Sequence, residues 1–325
     1  CDETSAAIIK DGLLLSNIVY SQKIHIKYGG VVPEYASREH EKHLINTINE
    51  SLDIADINMY DLDAIAVTYG PGLMGSLLVG LNMAKGLSIG LDIPFVGVNH
   101  MEGHLFANLI GKDSISYPYI CLLVSGGHTE IWIVDNDQYE MISNSIDDAA
   151  GEAFDKGAKI LGLEYPGGPE IERIAKSGNP ETYKFPRPIV KKSKFSFSFS
   201  GLKTSLLYKC KSMSKKEISE STSDLAASYQ EAIIDTLINK LELVINQTGI
   251  KRISIAGGVA ANQRFREKTN FLINRYENLS IMFPSMEFCT DNAAMIAVAG
   301  YHKIVRKEFS NYDLTAIPNL SLNNR

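Results

Sequence analysis

Two histidines four residues apart, in the run His100-Met101-Glu102-Gly103-His104, are the residues best placed to do chemistry. Residues 95–98 before them form a β-prone run opened by Pro94, and Asn99 is a suitable helix N-cap. Met101, Leu105 and Leu109 then recur at helical spacing, which predicts a helix with both imidazoles on one face. Such a pair can meet one divalent ion. Two partly buried histidines satisfied by hydrogen bonds are the other reading of the same pattern. A carboxylate would complete an ion site, and Asp291 in Cys289-Thr290-Asp291-Asn292-Ala293 is the candidate, although aspartate is also a common N-cap. Two imidazoles and one carboxylate leave coordination positions open, with zinc and ferrous iron both compatible.

Glycine-rich turns at strand ends supply a second kind of chemistry, because their amides can approach phosphate oxygens. Three are present: Gly70-Pro71-Gly72, Ser125-Gly126-Gly127-His128-Thr129, and Ala256-Gly257-Gly258-Val259-Ala260-Ala261-Asn262. The last two each follow a β run, and the third leads into a helix whose N-terminus favours anions. Together they point to a phosphate or adenylate site.

The elements needed to position these groups fit the totals. A chain of 325 residues with 45% apolar content can build two domains, each with a core. Cys1, Cys121, Cys210 and Cys289 are scattered, which argues against a zinc ribbon or a disulfide framework and fits a reducing compartment. No charged-then-apolar leader is seen, so a cytoplasmic protein is expected. The apolar stretch 70–98 is interrupted by Asn82, Lys85, Asp92 and Pro94 and reads as a buried loop, helix and strand, not a membrane span. A net charge of −6 does not suggest a general nucleic-acid binder. Yet residues 184–211 carry Lys184, Arg187, Lys191, Lys192, Lys194, Lys203, Lys209 and Lys211 without an acid. That strip is a candidate phosphate contact, a solvated loop being the plainer alternative.

Residues 6–9 and 13–20 read as strands joined at Asp11-Gly12, followed by a helix from about Ser37, a strand at 64–68, a small-residue helix at 74–90, the strand 95–98 and the histidine helix. After a linker at 111–116 the order repeats. Strands are expected at 119–124, 131–134 and 139–142, the latter two a hairpin round Asn136-Asp137, with a helix at 147–161. Past an insertion at about 162–221 come a helix ending near Gln247, a strand at 253–256, a helix after Asn262, a strand at 281–283 and a helix from Asp291. This repetition predicts two α/β lobes with a cleft between them, spanning 1–114 and 115–305, with 306–325 possibly rejoining the first. The second copy opens with a full strand before its glycine turn. The first opens at the equivalent of the turn, so a strand is expected to be missing from the first lobe.

These motifs, in this order, resemble the bacterial tRNA N6-adenosine threonylcarbamoyltransferases, the TsaD family, formerly called O-sialoglycoprotein endopeptidases. The resemblance spans essentially the whole chain. It rests on Cys1-Asp2-Glu3-Thr4, Gly29-Gly30-Val31-Val32-Pro33-Glu34, Gly70-Pro71-Gly72-Leu73, Asn99 to His104, Leu123 to Thr129, Asp148 to Lys156, Tyr165-Pro166-Gly167-Gly168-Pro169, Phe197 to Thr204, Gly257 to Asn262 and Cys289 to Ala294. It implies the duplicated actin/Hsp70/sugar-kinase (ASKHA) fold and acyl transfer from threonylcarbamoyl-AMP to the adenosine beside the tRNA anticodon, position 37. His100, His104 and Asp291 would hold the metal, usually iron. Leu123, Val124, Ser125, Gly126, Gly127, Asp155, Gly168, Glu172 and Asn262 would contact the adenylate, with ATP or AMP able to use the same site. Glu172 stands where related sequences can carry Asp, and Ala256 where many carry Ser. Asp2 and Glu3 are candidate general bases. The resemblance further implies a same-fold paralogue (TsaB-like) and a small ATPase (TsaE-like) as partners, with a homodimer as another option and no membrane.

A metalloprotease is the first rival, suggested by the spacing of the histidines and Glu102. A protease helix places its glutamate beside the first histidine. Glu102 instead falls about 200° round the helix from His100, away from the ion. A non-catalytic adenylate-binding scaffold and a sugar kinase of the same fold are the others.

Overall fold

The computed structural model describes residues 2–110, 115–136, 138–190 and 193–322. The chain forms two compact units, Cys1–Ser114 with Asp291–Arg325, and Ile115–Thr290. The return to the first unit therefore begins at Asp291, fifteen residues before the boundary expected at 306.

In the first unit, β1 (Glu3–Lys10) and β2 (Leu13–Ser21) form an antiparallel hairpin. Asp11 and Gly12 turn it with φ of 52° and 78°, a left-handed pair that Asp-Gly supplies at low cost. α1 (Pro33–Ala55) starts four residues earlier than expected, because Pro33 sits in the first helical turn, where the missing N–H costs nothing. β3 (Ile65–Gly70) and β4 (Phe95–Asn99) pair in parallel across α2 (Met74–Leu91). α2 is long and apolar enough to cross a membrane by length and composition alone. Only one face is buried, through Leu77, Leu81, Ala84 and Ser88, while Met74, Leu78 and Ile89 are exposed. The helix expected as part of a buried loop, helix and strand is thus buried on one side.

A final helix, α9 (Ala293–Val305), joins this unit because it lies directly on β3: a Cβ at Gly300 would collide with the Ala66 side chain. The tail beyond it is stitched down by backbone bonds from Ser310 N to Phe95 O (2.9 Å) and from Ile317 N to Tyr69 O (2.8 Å). Lys85 Nζ also donates to the carbonyls of Tyr312 and Leu314.

The second unit has a five-stranded sheet in the order β7-β6-β5-β8-β9. Its strands are β5 (Tyr119–Val124), β6 (Thr129–Asp135), β7 (Gln138–Asn144), β8 (Arg252–Ala256) and β9 (Ser280–Met282). β5 runs antiparallel to β6 and parallel to β8, and all six of its residues are buried, as a central strand requires. α4 (Ala150–Ile160) begins after the strands, and the long insertion carries α5 (Gly167–Ala175) and α6 (Ser200–Lys211). α7 (Lys215–Thr248) opens with a capping box between Ser214 and Glu217 and stops at Gly249, whose φ of 70° suits only a residue without Cβ penalty. α8 (Gln263–Arg275) lies between β8 and β9.

The described strands of the first unit form two separate two-stranded sheets, β1-β2 and β3-β4, where the second unit has one continuous sheet. β5 occupies the place between β6 and β8, whereas among the described residues no strand stands between β1 and β3. Those strands instead line a largely apolar cavity of about 390 Å³ that reaches Glu3, His100 and Asp291.

Candidate metal centre and phosphate-binding loops

Asn99 ends β4, and its side chain accepts from Met101 N at 2.9 Å, so α3 (His100–Phe106) starts at the first histidine. One turn later His104 stacks edge-on to it, with ring centroids 4.8 Å apart. The expected continuation to Leu109 is a short 3-10 turn instead, at Ala107–Leu109. Across from the pair, Asn292 rather than Asp291 caps α9, accepting from Met295 N at 3.1 Å. Asp291 is therefore available to the histidines. Its Oδ2 lies 3.4 Å from His100 Nε2 and its Oδ1 3.3 Å from His104 Nε2. All three residues belong to the first unit, whereas the expected lobe boundary of 115–305 would have put Asp291 in the second.

These three side chains, with donor atoms all within 4.8 Å of one another, could hold a metal ion. Tetrahedral ligands at ~2.1 Å from zinc would sit ~3.4 Å apart, close to the two imidazole–carboxylate separations. Burial pushes the His104 imidazole below its ordinary value, which favours the neutral, ligating form. For Asp291, burial acts upward, but the neighbouring imidazoles, His100 foremost, hold the carboxyl well below the usual range. The donor set and its protonation thus fit a divalent ion.

Glu102 faces the other way, as the helical angle predicts. It is buried, and its Oε2 lies 3.1 Å from Lys303 Nζ on α9. That arrangement turns the glutamate of the histidine motif away from the triad, which argues against the protease arrangement. Glu3 does lie in the cavity shared with His100 and Asp291. Burial first, then the charges of Asp2 and Asp291, push its carboxyl up to about 8.

In the second unit the predicted adenylate residues form a closed circuit of contacts. Ser125 N donates to His128 O at 2.8 Å and His128 N to Ser125 Oγ at 3.2 Å, a tight turn that leaves Gly126 and Gly127 exposed. Gly151 of α4 donates to Ser125 O at 3.2 Å. One turn on, Asp155 accepts from Gly167 N at 2.7 Å at the start of α5, beside Gly168. Burial raises the Asp155 carboxyl, although the amides of Gly167 and Gly168 oppose it. Glu172 of α5 accepts from Gln263 N at 3.0 Å, and Asn262 caps α8 through Phe265 N at 3.0 Å. Gly257, with φ of 90°, closes the circuit: a Cβ there would fall 2.5 Å from Val124 O. Leu123 and Val124 are wholly buried in β5, so their side chains serve the core. Gln230, which accepts from Asn262 Nδ2 at 2.8 Å, carries no motif in the sequence and is identified only by its buried place on α7. The third turn, Gly70-Pro71-Gly72, is committed to structure, since Gly72 N donates to Pro318 O at 3.0 Å.

The basic strip divides. Lys203 pairs with Asp148 (3.1 Å) and Arg187 with Asp235 (2.7 Å), while Lys209 lies over the Tyr183 ring. Lys184, Lys194 and Lys211 are exposed; Lys191 and Lys192 fall outside the described residues. Phe197 and Phe199, which fall among these lysines in the sequence, are buried and pack the core.

Comparison with known proteins identifies the family. The family model "TsaD: tRNA N6-adenosine threonylcarbamoyltransferase" matches residues 13–298. A protein of that name from Kosmotoga olearia is 52% identical over 324 residues, covering 99% of this chain and 96% of its own. Another from Thermosipho africanus is 48% identical over 324 residues, covering 99% and 97%. Among solved structures, HypF from T. kodakarensis superposes with a TM-score of 0.61 at 15% identity over 83% of this chain and 44% of its own. The activator of 2-hydroxyisocaproyl-CoA dehydratase from Clostridium difficile gives 0.52 at 16% identity, covering 96% and 99%. At such identities these two speak for fold alone, an α/β fold of the actin/Hsp70/sugar-kinase class. The chain belongs to the tRNA N6-adenosine threonylcarbamoyltransferase family.

Proposed function

We propose that this protein transfers the threonylcarbamoyl group of threonylcarbamoyl-AMP to N6 of the adenosine at tRNA position 37. The observation that carries the reading is full-length similarity to enzymes of that name, joined to a His/Asp triad and a circuit of hydrogen-bonded glycine-rich loops. N6 attacks the carbamoyl carbon, the bond to the phosphate oxygen breaks, AMP leaves, and the attacking amine gives up a proton. A good leaving group removes any need for a covalent protein nucleophile.

In the second unit, the amides of Ser125, Gly126 and Gly127 receive phosphate charge, and Asp155, Gly168, Glu172 and Asn262 orient the adenylate. The same loops suit AMP or ATP. In the first unit, His100, His104 and Asp291 hold a divalent ion, Fe2+ by family resemblance and Zn2+ also compatible with the donors. That ion supplies Lewis acidity toward the threonylcarbamoyl end. Asp2 and Glu3 are the candidates to take the proton. The exposed lysines Lys184, Lys194 and Lys211 give tRNA phosphates a contact surface. A TsaB-like paralogue, a TsaE-like ATPase and a cytoplasmic location complete the reading, with a homodimer as the alternative assembly.

The test is reconstitution with unmodified tRNA, threonine, bicarbonate, ATP and an adenylate-forming partner, comparing wild type with a His100→Ala, His104→Ala double variant. Modified nucleoside from wild type alone supports the reading. Equal product from both would favour a scaffold whose histidines do no chemistry.

A further inference from the structure

The two elements that carry the triad are braced on the side away from it. α3 has seven residues, too few to hold itself in place, so its position comes from what it packs against. At Gly103 it meets α9 closely: a Cβ there would fall 2.7 Å from Ile296 Cδ1 and 3.3 Å from Met295 Cγ. Asp291 stands before the start of α9, on one side of this close approach. On the other, seven residues or about 10 Å of helix beyond Ile296, is Lys303. It reaches back to Glu102, and the two side chains are 17% and 3% exposed.

We propose that the Glu102–Lys303 pair is a positioning brace that sets the spacing between the histidines on α3 and the carboxylate ahead of α9. With Gly103 against Met295 and Ile296 as the pivot, a tilt of α9 that opens one end displaces the other. Metal ligands tolerate errors of only about 0.2 Å, so a small tilt reaches the ion site. A buried carboxylate also punishes loss of its partner, which makes the alignment of the two helices specific. The brace rests on the reading of His100, His104 and Asp291 as ligands, and it assigns a role to the glutamate of the histidine motif.

Visible absorption of Co2+ titrated into the purified full chain reads this directly, beside the melting temperature of each metal-free protein. Glu102→Gln and Lys303→Met should each weaken Co2+ binding about tenfold, the lower end of what support residues cost. The double variant should lose the same tenfold, because either change alone already releases the brace. Lys303→Met, at the more exposed position, keeps the test available if Glu102→Gln does not fold. Unchanged Co2+ affinity in the folded variants, or losses that multiply in the double variant, would overturn the brace. A purely structural pair would lower the melting temperature and leave Co2+ affinity alone. Retention of Co2+ binding by His100→Ala, His104→Ala, or none by wild type, would instead overturn the ligand reading and the brace with it.

Discussion

Replacing Gly151 with alanine isolates the proposed phosphate loop from the rest of the second unit. A Cβ at this position would lie 2.5 Å from Ser125 O and 2.8 Å from Gly126 Cα, where real Cβ contacts essentially never come under 3.0 Å. Both neighbours are backbone, so no side chain can swing aside. The loop or the start of α4 has to move by at least 0.5 Å. Overpacking of this kind costs about 1–3 kcal/mol, offset by up to about 1 kcal/mol for exchanging helical glycine for alanine. The net expectation is a loss of about 1–2 kcal/mol in urea unfolding. The larger effect is on function, since misplacement by about 1 Å can cost on the order of 100-fold. Calorimetric titration with AMP and turnover with tRNA should both fall by at least about tenfold. Gly126→Ala, in the same loop with nothing within 4 Å of the added Cβ, should leave stability within about 0.5 kcal/mol of wild type. Wild-type affinity for AMP in Gly151→Ala would refute the claim that this loop holds the phosphate.

Asp291→Asn should remove metal-dependent stabilisation. An ion at 100 times its Kd adds about 2.7 kcal/mol to wild type, and equal stabilisation of the variant would deny Asp291 a ligand's role. Acid should unfold the protein partly through His40, which hydrogen-bonds Thr4 and whose imidazole burial pushes down to about 4 from 6.5. Its folded value is the lower one, so the unfolded chain binds the extra proton, and stability falls as pH drops from about 6.5 to 4, by at most about 3 kcal/mol. His40→Gln should flatten that limb, and parallel curves for the two proteins would contradict it. Alanine at Lys184, Lys194 and Lys211 together should weaken tRNA binding and lower the slope of log affinity against log salt by about 1 for each phosphate no longer neutralised. An unchanged slope would take tRNA off that face.

What could be read from the sequence was what neighbours in the chain decide. The Asn99 cap, the Asp11-Gly12 turn and β5 came from local spacing, and the structure has them where expected. The insertion was harder. No element is expected within it, yet Pro166 caps α5 and Gly167 and Pro169 lie in its first turn, where the amides have no helical partner to lose. α3 ended early for the opposite reason, because local periodicity continued past Phe106 while the backbone tightened into a 3-10 turn. Asp291 was recognisable as a candidate, but its unit was not. That follows from α9 lying on β3 at Gly300 and Ala66, a contact between residues far apart in the chain. Likewise only the fold reveals that Lys203 and Arg187 are spent on Asp148 and Asp235.

The most direct measurement is nucleoside mass analysis of unmodified tRNA incubated with this protein, its partners and threonylcarbamoyl-AMP supplied ready-made. Threonylcarbamoyladenosine at position 37, formed in step with AMP release and absent from the Asp291→Asn reaction, is the expected result. AMP release with no modified nucleoside, or full modification by Asp291→Asn, would contradict the proposed chemistry.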